Sequence, residues 1–174
     1  MGEVKLREVD KRIISLSQAV KIAKRARGKG LRVVTTNGAF DLIHAGHVRS
    51  LSLAKAYGDI LIVGVNSDAS VRQSKGSLRP IVTARERARM VAALRPVDYV
   101  FVFASKTPVS WITKIRPHVH AKGSDRAVAE IVEGSAVEKY GGRVVRLPHA
   151  GEPSTTQLIQ RIIRLYRGRY PESK

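Results

Sequence analysis

At 174 residues with an apolar fraction of 43%, the chain is sized for one domain with a substantial core. No apolar run reaches ~18 residues, the first residues lack the apolar stretch of a signal peptide, and Leu6 stands where a myristoylation motif needs Ser or Thr, so a cytoplasmic address with no membrane association is expected. Without cysteine there is no disulfide or thiolate chemistry, and the formal charge of +18 favours polyanionic partners, whether nucleic acid or a nucleoside triphosphate with a phosphorylated acceptor, although a solvated basic surface accounts for it equally well.

Residues 1–15 are expected to be a leader, 16–168 a single core domain and 169–174 a frayed tail. Ser17–Arg27 carries Ala19, Val20, Ile22, Ala23 and Ala26 on a helical stripe that ends near Gly28 and Gly30. A strand over Leu31–Thr36 follows, then a helix from Gly46 to Gly58 and a buried strand over Asp59–Asn66. Thr83 and Glu86 have capping-box spacing and predict a helix to about Leu94. Val97–Phe103 reads as a strand, and Thr107–Pro108 as the start of a short helix with Pro in its first position, stopped at Arg116–Pro117. Val119–Lys122 and Arg143–Leu147 read as shorter strands flanking a helix near Ala127–Tyr140, and Ser154 should cap a last amphipathic helix to about Tyr166. Trp111, Ile112 and Ile115 read as core or interface, and the terminal stripe Leu158, Ile159, Ile162, Ile163, Leu165 and Tyr166 is wide enough to bury a homodimer contact.

Strands alternating with helices predict an α/β fold, a Rossmann-like doubly wound parallel sheet of about five strands with helices on both faces. Its ligand would lie beyond the C-terminal strand ends, at the switch point. Neither a Walker phosphate loop nor a GxGxxG fingerprint occurs. The segment Thr36-Asn-Gly-Ala-Phe-Asp-Leu-Ile-His-Ala-Gly-His47 instead joins the first strand to the next helix, so His44 and His47 sit where free backbone N–H groups and the positive helix dipole form an anion site. Gly38 and Gly46 remove side chains where a phosphate would approach the backbone.

These residues resemble the HxGH signature of the nucleotidyltransferase superfamily, whose members transfer a nucleotidyl group from a nucleoside triphosphate to an acceptor. Asn66-Ser-Asp68, Lys75-Gly76 with Arg79-Pro80, Arg85 to Leu94, Arg116-Pro117, Ala121-Lys-Gly-Ser-Asp125, Gly141-Gly-Arg-Val-Val145 and Ser154-Thr-Thr-Gln-Leu-Ile159 follow in family order. Together they are most similar to the adenylyltransferase domain of the bacterial heptose-phosphate pathway, which makes ADP-heptose from ATP and heptose 1-phosphate and is often fused to a sugar kinase. Four places depart from that pattern: Ala39 for the usual Cys, His118 and His120, Ser124 for a Gly, and His149-Ala-Gly-Glu-Pro153, where cytidylyltransferases have an Arg at position 149. The last departure points to ATP rather than CTP.

The resemblance implies in-line attack by an acceptor phosphate oxygen on the α-phosphorus, with pyrophosphate leaving. His44, His47 and Lys122 would be catalytic, the histidines as donors to the α–β phosphate bridge. Asn37, Gly38, Ala39, Phe40, Asp41, Gly46, Lys122, Asp125, Ser154, Thr155 and Thr156 would bind the nucleotide, with Asp41 either orienting an imidazole or holding its loop. Asp68, Lys75 and Arg79 would bind the acceptor, although Asp68 has an equal alternative as the cap of the next helix. Mg²⁺ would come with the triphosphate, and no protein metal site is expected, since two histidines without cysteine do not make a zinc centre. A glycerol 3-phosphate cytidylyltransferase or an FAD-synthetase-like enzyme is the near alternative. A basic nucleic-acid-binding protein is the alternative from another class, but at 5% aromatic residues and without a recognition motif only non-specific binding through charge is expected.

Overall fold

The computed structural model describes residues 8–105, 107–123, 133–148, 151–152 and 154–167. In chain order the elements are α1 (Leu16–Gly28), β1 (Val33–Gly38), α2 (Ala45–Lys55), β2 (Ile60–Asn66), α3 (Asp68–Lys75), α4 (Ala84–Ala92), β3 (Tyr99–Phe103), α5 (Val109–Ile115), β4 (Val119–Gly123), α6 (Gly134–Glu138), β5 (Arg143–Leu147) and α7 (Thr155–Tyr166). The five strands form one sheet in the order β3-β2-β1-β4-β5, and every pairing is parallel. The chain winds outward from β1 to β3, then crosses back to β4 and β5. The switch point therefore lies between β1 and β4, where a doubly wound sheet opens a ligand crevice.

Adjacent strand residues feed opposite faces. Val34, Leu61, Val63 and Val100 pack with Leu51 and Ala54 of α2 and with Ala88, Val91 and Ala92 of α4. Val33, Ile62 and Phe101 pack with Ala19, Ala23 and Ala26 of α1, with Trp111, Ile112 and Ile115 of α5, and with Ala136 and Val137 of α6. Helices thus cover both faces, which is why the central strands read as continuous apolar runs. Trp111 is core at 1% exposure.

Several boundaries differ from the sequence expectation for local reasons. β1 begins at Val33, not Leu31, because the Leu31 N–H still bonds Ala26 O and the Arg32 N–H bonds the Asp59 carboxylate at 2.7 Å. It extends through Asn37 and Gly38, which pair with Gly64 and Val65. α2 stops at Lys55, because Ala56, Tyr57 and Gly58 close it with turn hydrogen bonds. β3 begins at Tyr99, since the Val97 N–H bonds back to Leu94 O. Pro108 is the N-cap of α5 and not its first residue. The cap of α3 is Ser67, whose hydroxyl accepts the Ser70 N–H, so Asp68 is the first helical residue and does not serve as the cap.

The part of the expected leader that is described is tied to the sheet: Ile14 N–H bonds Val100 O and Val100 N–H bonds Arg12 O, both at 2.8 Å. Of the helix expected near Ala127–Tyr140, Gly134–Glu138 is helical and 124–132 lie outside the described residues. The tail 169–174 lies outside them too. α7 buries no residue, and its Ile162, Ile163, Leu165 and Tyr166 are exposed.

Candidate active site

The loop leaving β1 delivers both histidines to the C-terminal edge of the sheet. His44 is the N-cap of α2, in extended backbone conformation, and His47 lies in the first turn. Their rings stack with centroids 3.8 Å apart and planes 30° apart, and Phe40 packs against His47 at 5.2 Å. Phe40 holds a left-handed φ of 51° while buried, a strained backbone for a bulky residue. Gly46 is closely approached within the chain: a Cβ there would come 3.0 Å from His44 Nδ1 and 3.2 Å from Glu152 Cβ, so any side chain would push on the histidine.

His47 titrates far below an ordinary histidine, pushed down to about 4 by burial first, then by His44 and by the nearby Lys75 ammonium. At neutral pH its imidazole is uncharged and carries one N–H. Its buried Nδ1 has no hydrogen-bond partner among the described residues.

Two buried side chains brace this loop. Asp41 is 1% exposed and takes no imidazole. Its carboxylate accepts the N–H groups of Ile81 at 2.8 Å and Val82 at 3.0 Å and pairs with Arg79 Nε at 2.5 Å. Burial alone would raise the Asp41 carboxyl, but the Val82 N–H, the Arg79 guanidinium and the Ile81 N–H outweigh it and hold the group below its ordinary value. Of the two roles expected for Asp41, the geometry is that of the loop holder. Arg87 is the second brace, fully buried on α4. It donates to Val82 O at 2.9 Å, Asn66 O at 2.7 Å, Asp68 Oδ1 at 2.8 Å and also to Ala39 O. One guanidinium thus joins the β1 loop, the end of β2 and the segment before α4. Sequence reasoning missed it. The available signal was its place on the stripe Ala84, Arg87, Ala88, Val91, Ala92, where a charged residue must be paired.

Lys122 and Asn37 stand on neighbouring strands at the switch point, with Lys122 Nζ 3.0 Å from Asn37 Oδ1. The same ammonium lies 2.6 Å from Glu133 Oε1. The start of α7 closes the other side. Thr155 Oγ1 donates to Leu42 O at 3.4 Å, and Arg49 of α2 pairs with Glu152 at 3.5 Å, so the starts of α2 and α7 share one edge of the sheet. Ser154 Oγ accepts the Gln157 N–H in a full capping box, which leaves the first-turn N–H groups of Thr155 and Thr156 to face outward along the helix axis.

Lys75 ends α3 close enough to His47 to depress its titration, whereas Arg79 is committed to Asp41 with its side chain 12% exposed. Asp68 has one carboxylate oxygen on Arg87 and is about one-third exposed at 32%. Asp125, Ser124 and His149 lie outside the described residues. His118 and His120 serve the sheet. His118 Nδ1 accepts the Val33 N–H at 2.9 Å, and His120 Nδ1 meets Thr35 Oγ1 at 2.8 Å in full burial, which pushes the imidazole down to about 3 with help from Lys122.

Two helix starts and a stacked imidazole pair meet at the C-terminal edge of a doubly wound parallel sheet, the place where such α/β folds bind their ligands. Residues 35–161 match the family model described as cytidylyltransferase-like, and the chain belongs to this family of nucleotidyltransferases. Among its relatives, it is 47% identical to the bifunctional protein HldE of Pelobacter propionicus over 83% of this chain and 29% of that protein. It is 43% identical to the HldE of Trichlorobacter lovleyi over 92% of this chain and 33% of that one. The chain therefore spans about one-third of the length of the curated relatives it matches. A lipopolysaccharide core biosynthesis protein from Thermoplasma volcanium superposes with a TM-score of 0.61 at 27% identity, over 70% of this chain and 99% of that one. The pantoate-beta-alanine ligase of Francisella tularensis, at 14% identity and a TM-score of 0.56 over 81% of this chain and 68% of that one, shares the fold.

Proposed function

We propose that the chain transfers AMP from ATP to a small phosphorylated acceptor, a sugar 1-phosphate such as heptose 1-phosphate, and releases pyrophosphate. The observation that carries this reading is the convergence of the α2 and α7 starts around the stacked His44–His47 pair. The similarity to the bifunctional HldE proteins supports the adenylyl and heptose assignments.

In this reaction an acceptor phosphate oxygen forms the new bond to the α-phosphorus as the bond to the α–β bridging oxygen breaks, and the electron pair leaves with pyrophosphate. His47 and His44 donate N–H groups to oxygens that gain charge in the transition state, and His47, uncharged at neutral pH, does so through its single N–H. The Thr155 and Thr156 N–H groups, at the start that Ser154 caps, take the β- and γ-phosphates. Asn37, Gly38, Ala39, Phe40 and Gly46 shape the nucleotide wall, which Asp41 holds in place; Asp125 is assigned to the nucleotide from the family resemblance alone. Lys122 bridges triphosphate and acceptor. Lys75, Asp68 and Arg79 form the acceptor side, Arg79 through its hold on Asp41. Mg²⁺ accompanying ATP would be held mostly by phosphate oxygens and water and would neutralise their charge.

The exposed stripe of α7 supports a homodimer, and the +18 charge supports only non-specific binding of nucleic acid. Among the described residues no helix is long and apolar enough to cross a membrane, which fits a cytoplasmic enzyme. A pyrophosphate-release screen crossing four nucleoside triphosphates with a panel of sugar phosphates, glycerol 3-phosphate and FMN tests the reading. Turnover requiring ATP and a sugar 1-phosphate is expected. CTP-dependent turnover would move the chain to the cytidylyl branch, and no turnover with any pair would reject the enzyme.

A further inference from the structure

We propose that Glu133 is a positioning residue that aims the Lys122 ammonium across the crevice between β1 and β4. The inference rests on the reading of Lys122 as a triphosphate-facing group. Lys122 is the penultimate residue of β4, and Asn37 is the penultimate residue of β1 beside it. Glu133 comes from another element, the N-cap of α6. The ammonium thus has two acceptors on separate supports, Glu133 Oε1 at 2.6 Å and Asn37 Oδ1 at 3.0 Å. A lysine has three N–H bonds at tetrahedral angles. Two of them held from fixed positions set the direction of the third.

The charges make the arrangement more than a local staple. Glu133 has a side chain only 5% exposed, and Lys122 is 16% exposed. A buried carboxylate beside a crevice for a polyanion opposes substrate binding unless a cation stays on it. The pair is close to neutral, so it adds little long-range attraction for ATP. What it adds is direction, and a fixed donor helps where charge develops more than where it already exists. Replacing Glu133 with Gln removes the opposing charge and loosens the ammonium together. The ground state then binds at least as well, and the transition state loses its aimed donor. A carboxylate that only stapled α6 to β4 would, on removal, change stability and leave this split untouched.

The test compares wild type, Glu133→Gln, Lys122→Ala and the double variant. Turnover is read by pyrophosphate release, ATP binding by calorimetry, and fold by circular-dichroism melting. For Glu133→Gln the expectation is a kcat lower by ~10-fold or more with an ATP Kd unchanged or tighter. Lys122→Ala should lower kcat and, by leaving the Glu133 carboxylate uncompensated, weaken ATP binding; the double variant should match the kcat of Lys122→Ala within ~3-fold, because without the ammonium there is nothing to aim, and should recover ATP binding because the opposing charge is gone. ¹⁵N-detected lysine ammonium spectra of the free protein supply an independent arm: a slowly exchanging Lys122 signal present in wild type and lost in Glu133→Gln. Should Glu133→Gln fail to fold, Glu133→Asp keeps the charge but withdraws the carboxylate by ~1.5 Å, and the same kcat loss with unchanged Kd is expected. A kcat within ~2-fold of wild type, a weakened Kd with kcat intact, or multiplicative losses in the double variant overturns the proposal. A wild type that turns over no substrate pair overturns the functional reading instead, and the ammonium spectrum still decides whether Glu133 holds Lys122.

Discussion

The two helix starts that frame the site are built in opposite ways. α2 begins on a loop held by buried side chains. Its body buries Leu51 and Ala54, a Cβ on its Gly46 would press on His44 and Glu152, and the loop before it is tied down by Asp41 and by the fully buried Arg87. α7 begins with a self-contained capping box between Ser154 and Gln157, and no residue of its body is buried. One start is held by the tertiary structure and the other mostly by its own first turn. Donors that act in a transition state must be placed to within a fraction of an ångström, so the histidines belong on the braced start. On the proposed function, backbone groups that grip the far end of a triphosphate tolerate adjustment, and a helix with no buried residue supplies it.

The sharpest way to break the contrast is at Arg87. Arg87→Ala leaves Ala39, Asn66 and Val82 carbonyls and the Asp68 carboxylate without their donor and opens a cavity on the buried face of α4. A loss of about 3–5 kcal/mol of stability is expected in urea unfolding. Arg87→Lys should recover only part of it, because an ammonium cannot span the fork. An Arg87→Ala protein as stable as wild type would mean that the β1 loop is not braced from α4.

His47→Ala comes next. Losing a transition-state donor should lower kcat by at least ~10²-fold, about 2.7 kcal/mol, with a modest change in ATP affinity. A variant of near-normal turnover would take the histidine out of the chemistry and leave the stacked pair as packing.

The pH dependence follows from His47. Its folded value, about 4, lies below the ordinary 6.5, so between those values the unfolded chain binds a proton that the folded chain does not. The stability this group supports is complete above pH 6.5 and is lost as pH falls through 4, by about 3 kcal/mol. Buried His120, at about 3, adds to the same acid weakness. Between pH 6.5 and 4 the wild type should lose stability relative to His47→Gln, which has no imidazole to protonate at this position. In the free enzyme His47 stays neutral across pH 6–8, so kcat/KM should show no inflection from it there. An inflection near 6.5 that vanishes in His47→Gln would show the imidazole to be far more solvated than its packing against Phe40 and His44 implies.

The braced half was more legible in sequence for its motif than for its bracing. The strand–loop–helix placement of His44 and His47 follows from apolar runs on either side of the loop, because that pattern is local. Arg87, Glu133 and the true partners of Asp41 are set by contacts such as Lys122–Glu133, Asp41–Arg79 and Ala39–Arg87, 11, 38 and 48 positions apart in the chain. Such pairings depend on which loops the parallel sheet stacks together, and spacing does not encode that. Residues 118 and 120 stood out as departures near the site, yet register places both histidines on the sheet, hydrogen-bonded to Val33 and Thr35. In α7 the reverse holds: the capping residues and the apolar stripe are local features, and both were readable, because the helix owes so little to the rest of the described structure.

The smallest expected effect tests that independence directly. Ser154→Ala removes the hydroxyl that accepts the Gln157 N–H, a change worth about 1 kcal/mol to a helix. In a helix packed into the core that loss would appear in the global unfolding midpoint. α7 has no buried residue to couple it to the core, so the loss should stay local. Amide hydrogen exchange in Thr155–Tyr166 should quicken about 5-fold, while exchange in β1 and α2 and the urea midpoint stay at wild-type values. If the midpoint instead falls with the helix, α7 is coupled to the folding unit through a surface that covers its apolar stripe. Repeating the measurement across protein concentrations separates a second copy from an intrachain contact, since only association makes the midpoint depend on concentration.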